Sequence, residues 1–180
     1  MAIVANDIKF KLSTKSGTAG NSLSQSNPNN SLGKYISTTE LSASLNGLFD
    51  NISGADNLNS TVDYRCVFVH NSHATLTLYA AKVYVSSAVS GGATAAIAVD
   101  NITSKSISSS AAMAASIASE TVAPTGVGAF SAPTTGATGL DLGDIPPGQA
   151  RAVWVQRSAN DTSALSNDGF TLAVTGDTSA

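Results

Sequence analysis

The stretch Asp144-Ile145-Pro146-Pro147-Gly148-Gln149 constrains this chain most, because its residues dictate the conformation of a turn. Pro147 holds φ near the value that the second position of a type II turn needs, and Gly148 supplies positive φ at the third. The turn feeds Ala150-Arg151-Ala152-Val153-Trp154-Val155-Gln156-Arg157, a β-rich run with the chain's only tryptophan. Ala152 and Trp154 fall on one face of that run, and Arg151, Val153, Val155 and Arg157 on the other. A tight turn into an alternating strand points to an antiparallel β-sandwich.

Other segments read the same way. Ile8-Lys9-Phe10-Lys11-Leu12 alternates apolar and basic residues, as a half-buried strand does. Tyr64-Arg65-Cys66-Val67-Phe68-Val69 is apolar on both faces apart from Arg65, which marks a central strand. Thr75–Tyr79 and Lys82–Val85 are strand-like, and the intervening Ala80-Ala81 suggests a bulge. Ala95–Val99 is a weaker strand after the Ser90-Gly91-Gly92 break. Asn167-Asp168-Gly169 is a tight-turn signal before Phe170, Leu172 and Val174, which alternate along a last strand. Six to eight short strands make a mainly β fold, an antiparallel sandwich of jelly-roll or immunoglobulin-like type.

One short helix is expected. Ser37 or Thr38 can cap it, Glu40 completes a capping box with Ser37, and Leu41, Leu45, Leu48, Phe49 and Ile52 form one apolar stripe. Gly54 would stop it. Residues 13–34 read as loop, too long for an idle connection, so residues 1–36 are expected to form an N-terminal arm and 37–180 a single sandwich domain. Ile8, Phe10 and Leu12 are the candidate partner-contact residues of that arm. Trp154, Phe68 and Tyr84 are the expected core. Residues 103–139 read as a loop with one helical turn in the alanine-rich run 111–120.

Charged residues are 12% of the chain, against roughly 25% in a typical globular protein. A surface of small uncharged side chains suits permanent contacts with neighbouring subunits, and equally suits a plain soluble β domain. Net charge is −3, and no basic patch with interleaved aromatics suggests nucleic acid. No run approaches the roughly 18 apolar residues of a membrane span, and no signal peptide is read at the start. Synthesis in a cytoplasm follows, so the Asn-X-Ser/Thr triplets at Asn51 and Asn101 are read as accidents of composition.

Chemistry is sparse. Cys66, the single cysteine, has apolar neighbours and reads as a buried inert thiol. His70 and His73 lie three apart in what reads as a polar turn, without the further ligands a metal needs. Asp141, Asp144, Asp161, Asp168 and Asp177 could offer oxygens to calcium, but aspartate favours turns for backbone reasons alone. No nucleophile elbow or phosphate loop is present. The chain is therefore read as non-enzymatic, with no catalytic, cofactor-binding or metal residues.

Five blocks resemble a group of small virion proteins of tailed bacteriophages. They are Leu48–Asp56, Asp63–Asn71, Leu76–Val85, Gly143–Val155 and Asn167–Leu172, in that order. The resemblance implies a virion component without enzymatic activity, associated with capsid or tail. The leading expectation is a capsid decoration or cement protein that bridges major capsid subunits as a homo-oligomer, for instance a trimer. The alternative is a tail- or fibre-associated module that binds a receptor glycan.

Overall fold

The computed structural model describes residues 2–16, 23–160, 163, 165 and 167–178. Its strands are β1 (Ile8–Thr14), β2 (Tyr35–Glu40), β3 (Val62–Asn71), β4 (Leu78–Ala88), β5 (Thr94–Val99), β6 (Lys105–Ser106), β7 (Leu140–Ile145), β8 (Gln149–Ser158) and β9 (Phe170–Asp177), with one α-helix, α1 (Gly54–Leu58), and single 3-10 turns at Ala5–Asp7 and Pro28–Asn30. All strand pairs are antiparallel. A large sheet runs β2-β1-β3-β8-β5, with β6 adding to β8 beyond the end of β5, and a small sheet runs β7-β4-β9. The two stack as a mainly β sandwich, as the alternation pattern requires.

The strand β3 is central, and its register with β8 is unbroken from Val62↔Ser158 to His70↔Ala150. Alternation splits these strands cleanly. Val67, Val69, Val153 and Val155 face the small sheet, where they pack with Leu12, Val83, Val85, Ile97, Leu142 and Ile145. Cys66, Phe68, Ala152 and Trp154 point to the opposite side and form a second core with Leu32, Ile36, Met113 and Ile117. Trp154 and Phe68 are fully buried there. Tyr84, expected in the core, is only half-buried, because its neighbours Val83 and Val85 take the inward positions of β4.

The Pro-Pro-Gly turn forms as its residues dictate. Gly148 has φ +69°, and the Gln149 amide donates to the Pro146 carbonyl at 3.1 Å. The Ala80-Ala81 irregularity is a bulge, with the β4–β7 register shifting around Ala81 and Ala80 at φ +46°. Its amide donates to Asp144 Oδ1 at 2.9 Å.

Three expectations fail. The helix expected from Ser37 to Ile52 does not form: Tyr35–Glu40 is β2, paired with β1 through Ser13↔Ile36 and Lys11↔Glu40. Ser37 Oγ bonds Gln25 rather than a helix turn. Residues 41–53 fold back as turns, with Asn46 at φ +61°; Leu48 and Phe49 enter the core while Leu45 stays 66% exposed. The capping box belongs to Ser53 and Asp56, which start α1, so Gly54 opens a helix instead of ending one.

The N-terminal arm is the second correction. β1 lies between β2 and β3, with five residue pairs to β3, so Ile8–Thr14 is part of the large sheet and not an arm outside it. Leu12 is buried between the sheets, and Ile8 and Phe10 pack against the same core. Leu12 thus serves the core directly, while Ile8 and Phe10 are partly buried against it rather than held out on a free arm. Third, the alanine-rich run 111–120 makes no helical turn. Its main chain pairs with other segments: Met113 N donates to Lys34 O at 2.7 Å, and Ile117 N to Leu32 O at 3.1 Å.

Candidate interaction surfaces

Residues 107–120 form a strap across the outer face of the large sheet. Besides the Lys34 and Leu32 contacts, Tyr64 N donates to Glu120 O at 2.7 Å, and Lys15 Nζ donates to Ile117 O at 2.8 Å. The Gly33 backbone passes so close that a Cβ there would lie 2.0 Å from the Ala115 carbonyl oxygen. Beneath the strap, the buried Asp100 carboxylate acts as a rivet. Its Oδ2 accepts from Ala115 N at 2.8 Å and from Trp154 Nε1 at 3.0 Å, while Oδ1 accepts from Ile102 N at 2.9 Å. One carboxylate thus ties strap, sheet and the turn after β5 together.

At one end of the sandwich, the Phe49 ring packs against two guanidinium groups. Arg157 Cζ is 4.7 Å and Arg65 Cζ 5.3 Å from its ring centroid, within cation–π range. Arg157 Nη2 donates to Asp63 Oδ2 at 2.6 Å, and its other guanidinium nitrogen reaches the Asp50 carbonyl. The buried Arg65 pairs with Glu120 and donates to Asn29 Oδ1 at 2.9 Å. Both cations are spent inside the protein, clamping the 41–53 turns and the strap to the sheets.

Beside Phe49, a cleft of about 810 Å³ opens between residues 41–54 and the starts of β5 and β9. Phe10, Leu41, Leu48, Phe170 and Leu172 give it apolar walls. At its rim, Asp168 Oδ2 accepts from Ala93 N at 2.7 Å, latching the 91–93 turn. A second, smaller and polar depression holds Asp141, Asp144 and Arg151. Asp141 Oδ1 accepts from Gly143 N at 2.7 Å and Asp144 from Ala80 N, so both carboxylates serve the backbone, although they lie in β7 and not in the expected turn. Asp161 lies outside the described residues.

The two histidines part company. His70 sits within β3, not in a turn; it is 5% exposed on the strap-side face, next to Lys9 of β1 in register. Burial, helped by Lys11 and opposed by Glu40, lowers its pKa to about 4, so the imidazole is neutral. His73 is in the following turn, where its Nδ1 accepts from Thr75 N and Leu76 N. Among the described residues, no three His, Cys, Asp or Glu side chains are grouped to hold a metal ion. Cys66 is fully buried, and desolvation pushes its thiol well above the usual range, so it is a poor nucleophile. No helix among the described residues is long and apolar enough to cross a membrane.

Arg65 is the one interior charge that the strand pattern flags, as the polar exception in an apolar run. Nothing local distinguishes Asp100 or Arg157, since their partners lie far along the chain. Compared with protein-family models, curated proteins and solved structures, the chain matches none.

Proposed function

We propose that this protein is a non-enzymatic structural component of a phage virion, most simply a capsid decoration or cement protein that bridges major capsid subunits as a homo-oligomer. One observation carries the reading: the interior charges Arg65, Arg157 and Asp100 tie loops to the sheets, and Asp63 on the neighbouring strand holds Arg157 in place. Such ties stiffen a plate whose work is mechanical. The ordered blocks similar to small virion proteins, and a surface with few charges, support the same reading. Leu12 belongs to the core and Ile8 and Phe10 pack against it, so bridging is assigned to sheet edges and outer faces. Many copies on a lattice hold by avidity without strong single contacts.

The test is deletion. Particles assembled without this chain are expected to lose resistance to heat or low salt while adsorbing normally. Intact particle stability with lost adsorption would overturn the cement role and favour a receptor-binding module, for which the cleft beside β9 would be the first place to look.

A further inference from the structure

The edges of the two sheets are treated unequally. At β2, Thr38 N donates to Leu23 O at 3.3 Å, and Ser37 Oγ exchanges hydrogen bonds with Gln25, so a neighbouring segment covers the edge. At β5, Ile97 and Ser131 exchange main-chain bonds at 2.7 and 3.0 Å, and Gly128 N donates to Val99 O. At β7, Gly143 at φ +69° sits at an irregularity in the pairing with β4, and Asp141 and Asp144 bring charge to the edge. These are the usual protections against unwanted strand pairing. Among the described residues, β9 has none of them. Its eight residues, Phe170-Thr171-Leu172-Ala173-Val174-Thr175-Gly176-Asp177, contain no lysine or proline and one charge, at the last position. Among the described residues, no main-chain hydrogen bond forms on the side away from β4.

We propose that β9 is an assembly edge that pairs antiparallel with β9 of a second copy across a two-fold axis, joining two small sheets into one six-stranded sheet. The strand is self-complementary in that arrangement. Phe170, Leu172 and Val174 pack toward the inter-sheet core, so Thr171, Ala173 and Thr175 face outward. Directly opposed residues share a face, so a two-fold register must centre on a residue. Centred on Ala173, it sets Leu172 against the partner copy's valine at 174 and Thr171 against its threonine at 175. The smallest outward side chain then lies on the axis, where two copies come closest. The two Asp177 carboxylates end roughly 27 Å apart, beyond a Debye length, whereas parallel in-register pairing would put them side by side. A net charge of −3 adds little repulsion between copies. This inference stands apart from the virion reading, since a free dimer and a particle contact are measured separately.

Sedimentation of the full chain at micromolar concentration is expected to give a dimer. Thr171→Lys with Thr175→Lys sets lysine against lysine twice across the seam, and should weaken association at least tenfold. Thr171→Lys with Thr175→Glu makes those pairs opposite in charge and should restore it. Because Gly136 lies against the Thr175 methyl, an independent probe is needed in case the charged variants fail to fold. Ala173→Cys supplies it: antiparallel partners on the axis have Cα atoms about 5 Å apart, within disulfide range, and buried Cys66 does not compete. An interchain disulfide under oxidation supports the pairing. A monomer, a dimer that the double-lysine variant leaves intact, or an Ala173→Cys chain that does not cross-link overturns it.

Discussion

The two faces of β8 are buried equally well by different means. Toward the small sheet, Val153 and Val155 meet Val83, Val85 and Ile97, all on regular strands. Toward the outside, Ala152 and Trp154 meet Met113, Ala114 and Ile117, on a strap without regular structure. Between the sheets, the ladders already satisfy the backbone, and side chains need only fill volume. Under the strap, each buried amide and carbonyl needs its own partner, found at Lys34, Leu32, Tyr64 and Asp100. The inner core should therefore fail by losing volume, and the outer core by losing a polar partner.

Asp100→Ala is the strongest challenge to that distinction. It removes the acceptor from the buried Trp154 Nε1 and the part-buried Ala115 N, each costing about 1–3 kcal/mol when left unpaired. The expected loss is about 3–5 kcal/mol in denaturant unfolding, with red-shifted emission from the lone tryptophan as the strap lifts. A loss under about 1 kcal/mol with unchanged emission would mean that the outer layer tolerates polar loss as the inner one does.

Acid probes the same face more gently. His70 has a folded pKa of about 4 against an ordinary 6.5, so between those values the unfolded chain binds the extra proton. Its contribution is complete above pH 6.5 and declines as pH falls toward 4, by up to about 3 kcal/mol. Stability measured across that window should lose this slope in His70→Gln. An unaltered slope would assign the acid sensitivity to other groups.

The smallest effect belongs to the inner core. Ile97→Val removes one methylene from a fully buried site and should cost about 1 kcal/mol, leaving tryptophan emission unchanged. A red shift here would show that the two cores are coupled through β8.

The parts that were legible in the sequence are those in which a residue acts on its own backbone or its immediate neighbours. Pro147 and Gly148 dictate their turn, Ala80-Ala81 marks its bulge, and alternation along β8 places Trp154 inside. The helix expected at Ser37–Ile52 illustrates the limit. Its stripe of apolar residues at helical spacing was real, but β1 offered Tyr35–Glu40 a ladder, and tertiary pairing overrode the local signal. The supposed arm failed for a related reason: an alternating strand looks the same whether it pairs within its own sheet or reaches for another molecule. Ile8, Phe10 and Leu12 turned out to face their own core. Of the interaction surfaces, the service of Asp141 and Asp144 to the backbone was readable, though not their place in β7, while the cleft and the contacts of Arg65 and Arg157 with Phe49 were not.

Local chemistry in the chain settled the class of architecture: β-strands, a proline turn, one buried tryptophan and little charge. Only the folded molecule decided that an irregular strap closes the second core and that Asp100 secures it, 54 residues away in sequence from Trp154. The reason is physical. Turn and strand preferences arise from sterics within a few residues, whereas a buried carboxylate is stable only where distant segments bring donors to it.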